Sequence, residues 1–175
     1  MILRSFLAVA ILIAVILIFA AAKPNTFQVR RSIVIHAPRE KVFPLINDFH
    51  YWSSWAPQDR EDSSMTRTFD GSTNGVGAIS EWRSTGRAGK GRMTITESVP
   101  LTMILVKVDF VKPFEAHNLN EFTLESYGTS TKVTWTLQGT NLYIMKLMGM
   151  FVNMDRMMGK HFETGLSELK ILAEQ

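Results

Sequence analysis

Residues 130–174 read STKVTWTLQGTNLYIMKLMGMFVNMDRMMGKHFETGLSELKILAE, and one periodicity gives way to another within them. Val133, Trp135 and Leu137 fall on one face and Thr134 and Thr136 on the other, the period of two that marks a half-buried strand. From about Asn141 to Glu174 there is no proline, and Leu142, Met145, Met148, Val152, Phe162, Leu166, Leu169 and Leu172 recur at helical spacing. Gly149, Gly159 and Gly165 weaken that helix locally and mark a bend or a close approach to the sheet. The chain therefore ends in a strand followed by one long amphipathic helix, which needs an apolar surface to lie on.

The residues upstream supply that surface. Phe27, Val29, Ile33 and Ile35 alternate with Gln28, Ser32 and His36 as a first strand, interrupted at Ala37-Pro38. In REKVFPLIND the apolar residues Val42, Phe43, Leu45 and Ile46 form a helical face, although Pro44 disfavours one long helix. Two short helices are expected, the second near Phe49–Trp55 and stopped by Pro57. Strand candidates then run over Met65–Phe69, Gly75–Arg83, Arg92–Val99, Thr102–Val111, His117–Glu125 and Thr131–Leu137, separated by turn signals such as Asp70-Gly71, Pro100 and Tyr127-Gly128. Strand, short helices, six strands and a long helix give an α+β fold, a curved antiparallel sheet wrapped on the C-terminal helix.

The N-terminus has a different character. Residues 5–22 read SFLAVAILIAVILIFAAA with no charge, a run of about 27 Å as a helix, near the hydrocarbon thickness of a bilayer. The run exceeds a usual signal-peptide core, so an uncleaved anchor is preferred to a signal sequence cleaved after Ala20-Ala21-Ala22. The expected organisation is a transmembrane helix in residues 1–25 and one ligand-binding domain in residues 26–175. The localisation that follows is a single-pass membrane protein, with the flanking charges leaving its side open.

Composition removes whole classes of function. The 175 residues contain no Cys, which excludes disulfides, thiolate metal sites and a Cys nucleophile. A net charge of +3 without basic and aromatic residues along one element argues against a nucleic-acid partner.

Five blocks of the sequence, in order, carry a family likeness: RSIVIHAPREKVF (Arg31–Phe43), DFHYWSSWAPQD (Asp48–Asp59), GVGAISEW (Gly75–Trp82), STKVTWTLQG (Ser130–Gly139) and DRMMGKHFETGLSELK (Asp155–Lys170). In these blocks the chain resembles the START/Bet v-like superfamily, SRPBCC, and within it the polyketide cyclase/dehydrase and lipid-transport group. The resemblance implies a helix-grip fold whose cavity, between sheet and C-terminal helix, takes a hydrophobic small molecule or lipid. It does not by itself settle function, since one fold hosts many activities. The hydrophobic N-terminal segment departs from the best-characterised relatives.

The alternation nominates the residues that would line such a cavity: Trp82, Met93, Ile95, Val108, Phe110, Phe122 and Trp135 from strands, with Met148, Val152 and Phe162 from the closing helix. Six of the ten methionines lie between Met145 and Met158, where flexible, polarizable side chains suit either an adaptable wall or plain packing. Trp52 and Trp55 are read chiefly as locking the short helices to the sheet. The turn with Arg83, Arg87, Lys90 and Arg92 is read as a solvated hairpin in preference to an anion site. His36, His50, His117 and His161 are dispersed without metal-ligand spacing, and no GxSxG elbow occurs, so neither metal nor cofactor is expected. Glu97, on the Met93–Ile95 face by even alternation, and His161 are the weak catalytic candidates. The reading favours a membrane-anchored binding domain over its alternatives, a cyclase, dehydratase or hydrolase on a hydrophobic substrate, or a protein-interaction module whose partner the sequence does not name.

Overall fold

The strand alternation emerges as β1 (Thr26–Ile35), β2 (Thr66–Gly71), β3 (Ala78–Arg83), β4 (Lys90–Val99), β5 (Met103–Lys112), β6 (Ala116–Tyr127) and β7 (Ser130–Thr140). The helices are α1 (residues 14–22), α2 (Arg39–Asn47), α3 (Trp52–Trp55), α4 (Tyr143–Met148) and α5 (Met154–Ala173), with a 3-10 turn at Phe49–Tyr51 before α3. The computed structural model describes residues 11, 14–57, 62–86, 88–112, 115–141, 143–149 and 153–175.

All seven strands form one antiparallel sheet in the order β1-β7-β6-β5-β4-β3-β2. The first strand pairs with the last, from Thr26 opposite Thr140 to Ile35 opposite Thr131. Each inward residue therefore meets inward residues on its neighbours: Val133 faces Ile33 on one side and Leu124 on the other. This face carries the core, in which Ile35, Ile95, Ile104, Val106, Phe122, Val133 and Trp135 are buried together with Phe162, Leu166 and Leu169 of α5. The outer face carries the polar partners.

Two contacts bring α5 onto this face. The Arg31 guanidinium, on the inward parity of β1, bonds Glu163 at 2.8 Å and Asp155 at 3.1 Å. Those hydrogen bonds, to Asp155 first, raise its already high pKa. It crosses α5 at Gly159, where an added Cβ would fall 1.8 Å from Nη2. One turn on, Phe162 stacks on Trp135 with ring centroids 4.1 Å apart and planes 6° from parallel.

The long C-terminal helix is interrupted. Asn153 stands at extended backbone angles (φ −78°, ψ 94°), and its side chain accepts from the Arg156 N–H, so an N-cap divides the run into α4 and α5. The two short helices form as expected, α2 and, after the 3-10 turn, α3. Pro44 lies inside α2, and the burial of Val42, Phe43 and Ile46 carries that helix on to Asn47. As expected, Trp52 and Trp55 hold the short helices: their indole N–H groups donate to the carbonyls of Ile46 (2.9 Å) and Leu45 (3.0 Å).

The membrane-spanning expectation is corrected. Among the described residues no helix is long and apolar enough to cross a membrane. The helical stretch 14–22 rises only about 13 Å at about 1.5 Å per residue, and the remainder of the apolar run lies largely outside the described residues. The single-pass localisation and the membrane partner fall with it.

Candidate functional site

Between the inner face of the sheet and α5 lies a cavity of about 310 Å³. Its floor is laid by register. Trp82 on β3 stands opposite Gly91 on β4, which stands opposite Phe110 on β5. The adjacent row runs Ser80, Met93, Val108 and Asn118. Gly91 is required by this packing, because an added Cβ would lie 2.2 Å from the Trp82 ring. The indole is held there by its N–H, which donates to the Ala88 carbonyl at 3.0 Å, and by an edge-to-face contact with Phe110. Asn120, Trp135 and Leu137 extend the floor, Met157, Met158, His161 and Phe162 of α5 form the roof, and Trp52, Met65, Arg67 and Ala88 complete the wall.

Of the residues nominated from sequence, Trp82, Met93, Val108, Phe110, Trp135 and Phe162 meet at this cavity. Ile95 and Phe122 share the inner face but are fully buried in the core, Phe122 enclosed by the rings of Trp52, Trp55 and Trp135. Val152 and the side chain of Met148 lie outside what is described. Within the methionine-rich segment, Met157 and Met158 contribute to the roof.

Glu97 is a correction. It is exposed, because Ile95 pairs with Val106 while Glu97 pairs with Leu105, the next residue in line. Thr96 is the extra residue of a β-bulge, and a one-residue bulge turns every later side chain to the opposite face from the one even alternation assigns. His161 does reach the cavity, half-buried, but the two catalytic candidates are not brought together. Among the described residues no carboxylate lines the cavity, and no three His, Asp or Glu side chains come together to hold a metal ion.

The polar side chains at the cavity are Arg67, Asn118, Asn120 and His161. Arg67 donates from Nη1 to the buried Ser80 hydroxyl at 3.0 Å, and Asn120 Oδ1 accepts the Trp135 indole N–H at 2.8 Å. The sequence reading missed Arg67 and both asparagines. Asn118 and Asn120 share parity with Phe122 and Leu124, which was the available signal. Arg67 is placed inward by its pairing with Trp82, a register invisible before the strands are aligned.

At the start of the basic turn an anion of the protein's own lies against Ser84 and Gly86. Asp62 accepts from the Ser64 and Ser84 hydroxyls, which hold its carboxyl below its ordinary pKa, and it lies where a Cβ on Gly86 would fall. A mostly apolar, aromatic hollow with a few fixed polar groups is the form of a hydrophobic-ligand site.

Solved structures share this architecture. The protein CV1439 from Chromobacterium violaceum superposes with a TM-score of 0.61 at 18% identity, covering 87% of this chain and 99% of that one. TTHA0849 from Thermus thermophilus gives 0.59 at 18% identity over 84% and 97%. The Aha1 dimer from Colwellia psychrerythraea gives 0.57 at 19% identity over 85% and 96%. At such identities the likeness is one of fold. No curated protein matches the sequence. Residues 26–174, strand β1 through the end of α5, match the model of the polyketide cyclase/dehydrase and lipid transport family, and the chain belongs to that family.

Proposed function

We propose that the protein binds a compact hydrophobic small molecule or lipid fragment between the sheet and α5, without covalent chemistry. The observation that carries this reading is the cavity itself, about 310 Å³ bounded by three tryptophans, two phenylalanines and four methionines. It stands at the small end of ligand sites, about 300–1,000 Å³. Family membership supports the same class of ligand.

Trp52, Trp82 and Trp135 at the wall make binding observable through energy transfer to an apolar fluorophore. Titration with 1-aminoanthracene should saturate at one molecule per chain. Met158→Trp, which projects an indole from the roof, should abolish the signal while the far-ultraviolet circular dichroism stays unchanged. Saturable binding that is indifferent to Met158→Trp would place the ligand elsewhere and defeat the proposal.

A further inference from the structure

We propose that Asn120 selects among apolar ligands by donating a hydrogen bond from its side-chain amide to an oxygen acceptor, a carbonyl, on the molecule bound in the cavity. The inference rests on the hydrophobic-ligand reading of that cavity. Asn120 is only 7% exposed and sits on β6 between Val106 and Leu137, with Phe122 next on the same face. A primary amide in such surroundings is costly unless its groups find partners.

One partner is in place, and it fixes the other end. The Trp135 indole N–H can only donate, so the atom 2.8 Å from it is the amide oxygen. Nδ2, with its two hydrogens, must point away from that tryptophan. No described residue accepts from it. Nor is it among the side-chain atoms of the described residues that are sealed from solvent without a partner, where Asn118 Oδ1 stands. Asn120 lines the cavity, so Nδ2 is the polar atom that it offers to an occupant.

The surroundings define the rest of the ligand. Trp135 is itself clamped by its stack on Phe162, so the amide is held by a rigid support. Trp82 and Phe110 stand across the floor, a setting for a planar or ring-bearing body. The class is therefore an aryl or alkyl carbonyl compound: apolar over most of its surface, with one acceptor oxygen within reach of β6. A hydrocarbon of the same shape would leave the donor unsatisfied. A site built to hydrogen-bond a ligand group discriminates against an analogue lacking it.

The test uses two isosteres, 2-acetylnaphthalene and 2-isopropenylnaphthalene, in which a methylene replaces the carbonyl oxygen. Dissociation constants come from quenching of tryptophan emission in the wild type and in Asn120→Leu. The preference for the ketone, expressed as the ratio of the two constants, should fall about tenfold in Asn120→Leu, since one hydrogen bond to a desolvated group is lost. Infrared spectra of the ketone bound to wild type need no variant, and should show the carbonyl stretch displaced to lower wavenumber relative to the ketone in hexane. If both compounds bind, the ratio is the same in the two proteins and the stretch is not displaced, Asn120 does not select and the inference is overturned while the cavity reading survives. If neither compound binds the wild type, the cavity reading fails and takes the inference with it.

Discussion

Gly91→Ala should disturb stability and ligand binding together, because a single glycine lets a strand pass beneath the cavity wall. The added Cβ would lie 2.2 Å from Cη2 and Cζ2 of Trp82 and 2.6 Å from the Asp109 carbonyl oxygen. One of these neighbours is backbone, in the strand paired with β4, and yields only if the sheet yields. The other is a ring held by the Ala88 carbonyl and by Phe110, whose centroid is 5.3 Å away. Overpacking of this kind costs about 1–3 kcal/mol. For a chain of this length each kcal/mol moves Tm by about 2–4 °C, so Tm should fall by about 2–12 °C. Trp82 can escape the methyl only by moving from its place in the wall, so affinity for 1-aminoanthracene should change as well. Gly128→Ala is the control: its φ of 63° strains an alanine, but nothing lies within 4 Å of the added Cβ. It should cost about 1–2 kcal/mol and leave the affinity alone. Thermal unfolding and fluorescence titration of the three proteins decide the matter. A Gly91→Ala protein with wild-type Tm and affinity would refute the packing of Trp82 on Gly91.

Other consequences can be checked separately. Phe162→Ala removes a ring that is 3% exposed and stacked on Trp135, so urea unfolding should show a loss of about 3–5 kcal/mol. Asn153→Ala deletes the cap that accepts from the Arg156 N–H and should lower stability by about 1 kcal/mol, measured the same way. The Asp62 carboxyl is held below its ordinary pKa by hydrogen bonds from Ser64 and then Ser84, so its folded value lies below its unfolded one. The stability it contributes is therefore present above the ordinary carboxylate value of about 4 and is lost as pH falls through the lower folded value. The gap in urea midpoint between wild type and Asp62→Asn should stay constant from about pH 7 to 5 and narrow below about pH 4.

What is legible in the sequence is what alternation and turn residues encode. The periods of two locate all seven strands, and the turns at Asp70-Gly71 and Tyr127-Gly128 fall where β2 and β6 end. The site is legible wherever a strand stays regular: parity places Trp82, Met93, Val108, Phe110 and Trp135 inward, and they do reach the cavity. Parity alone does not say how deep a residue lies. Ile95 and Phe122 share that face but are fully buried, Phe122 beneath the α3 rings of Trp52 and Trp55, so they are core and not wall. The apolar run at the N-terminus is legible from composition alone, but among the described residues no helix is long and apolar enough to cross a membrane.

The two errors with most bearing on function share a cause, for both Glu97 and Asn120 depend on how far alternation can be carried. At Glu97 it is carried too far, through a bulge at Thr96 that no turn residue announces. At Asn120 it is not carried far enough. His117–Glu125 reads as a strand, and the parity that buries Phe122 and Leu124 buries Asn118 and Asn120 with them. A polar residue on an apolar face has to be reconciled with the cost of desolvating its amide. In the structure Trp135 satisfies one end of that amide and Asn120 lines the cavity, where the inference above places the other. The polar exception to the pattern therefore carries more about the ligand than the apolar residues that obey it, since those specify only that the ligand is hydrophobic.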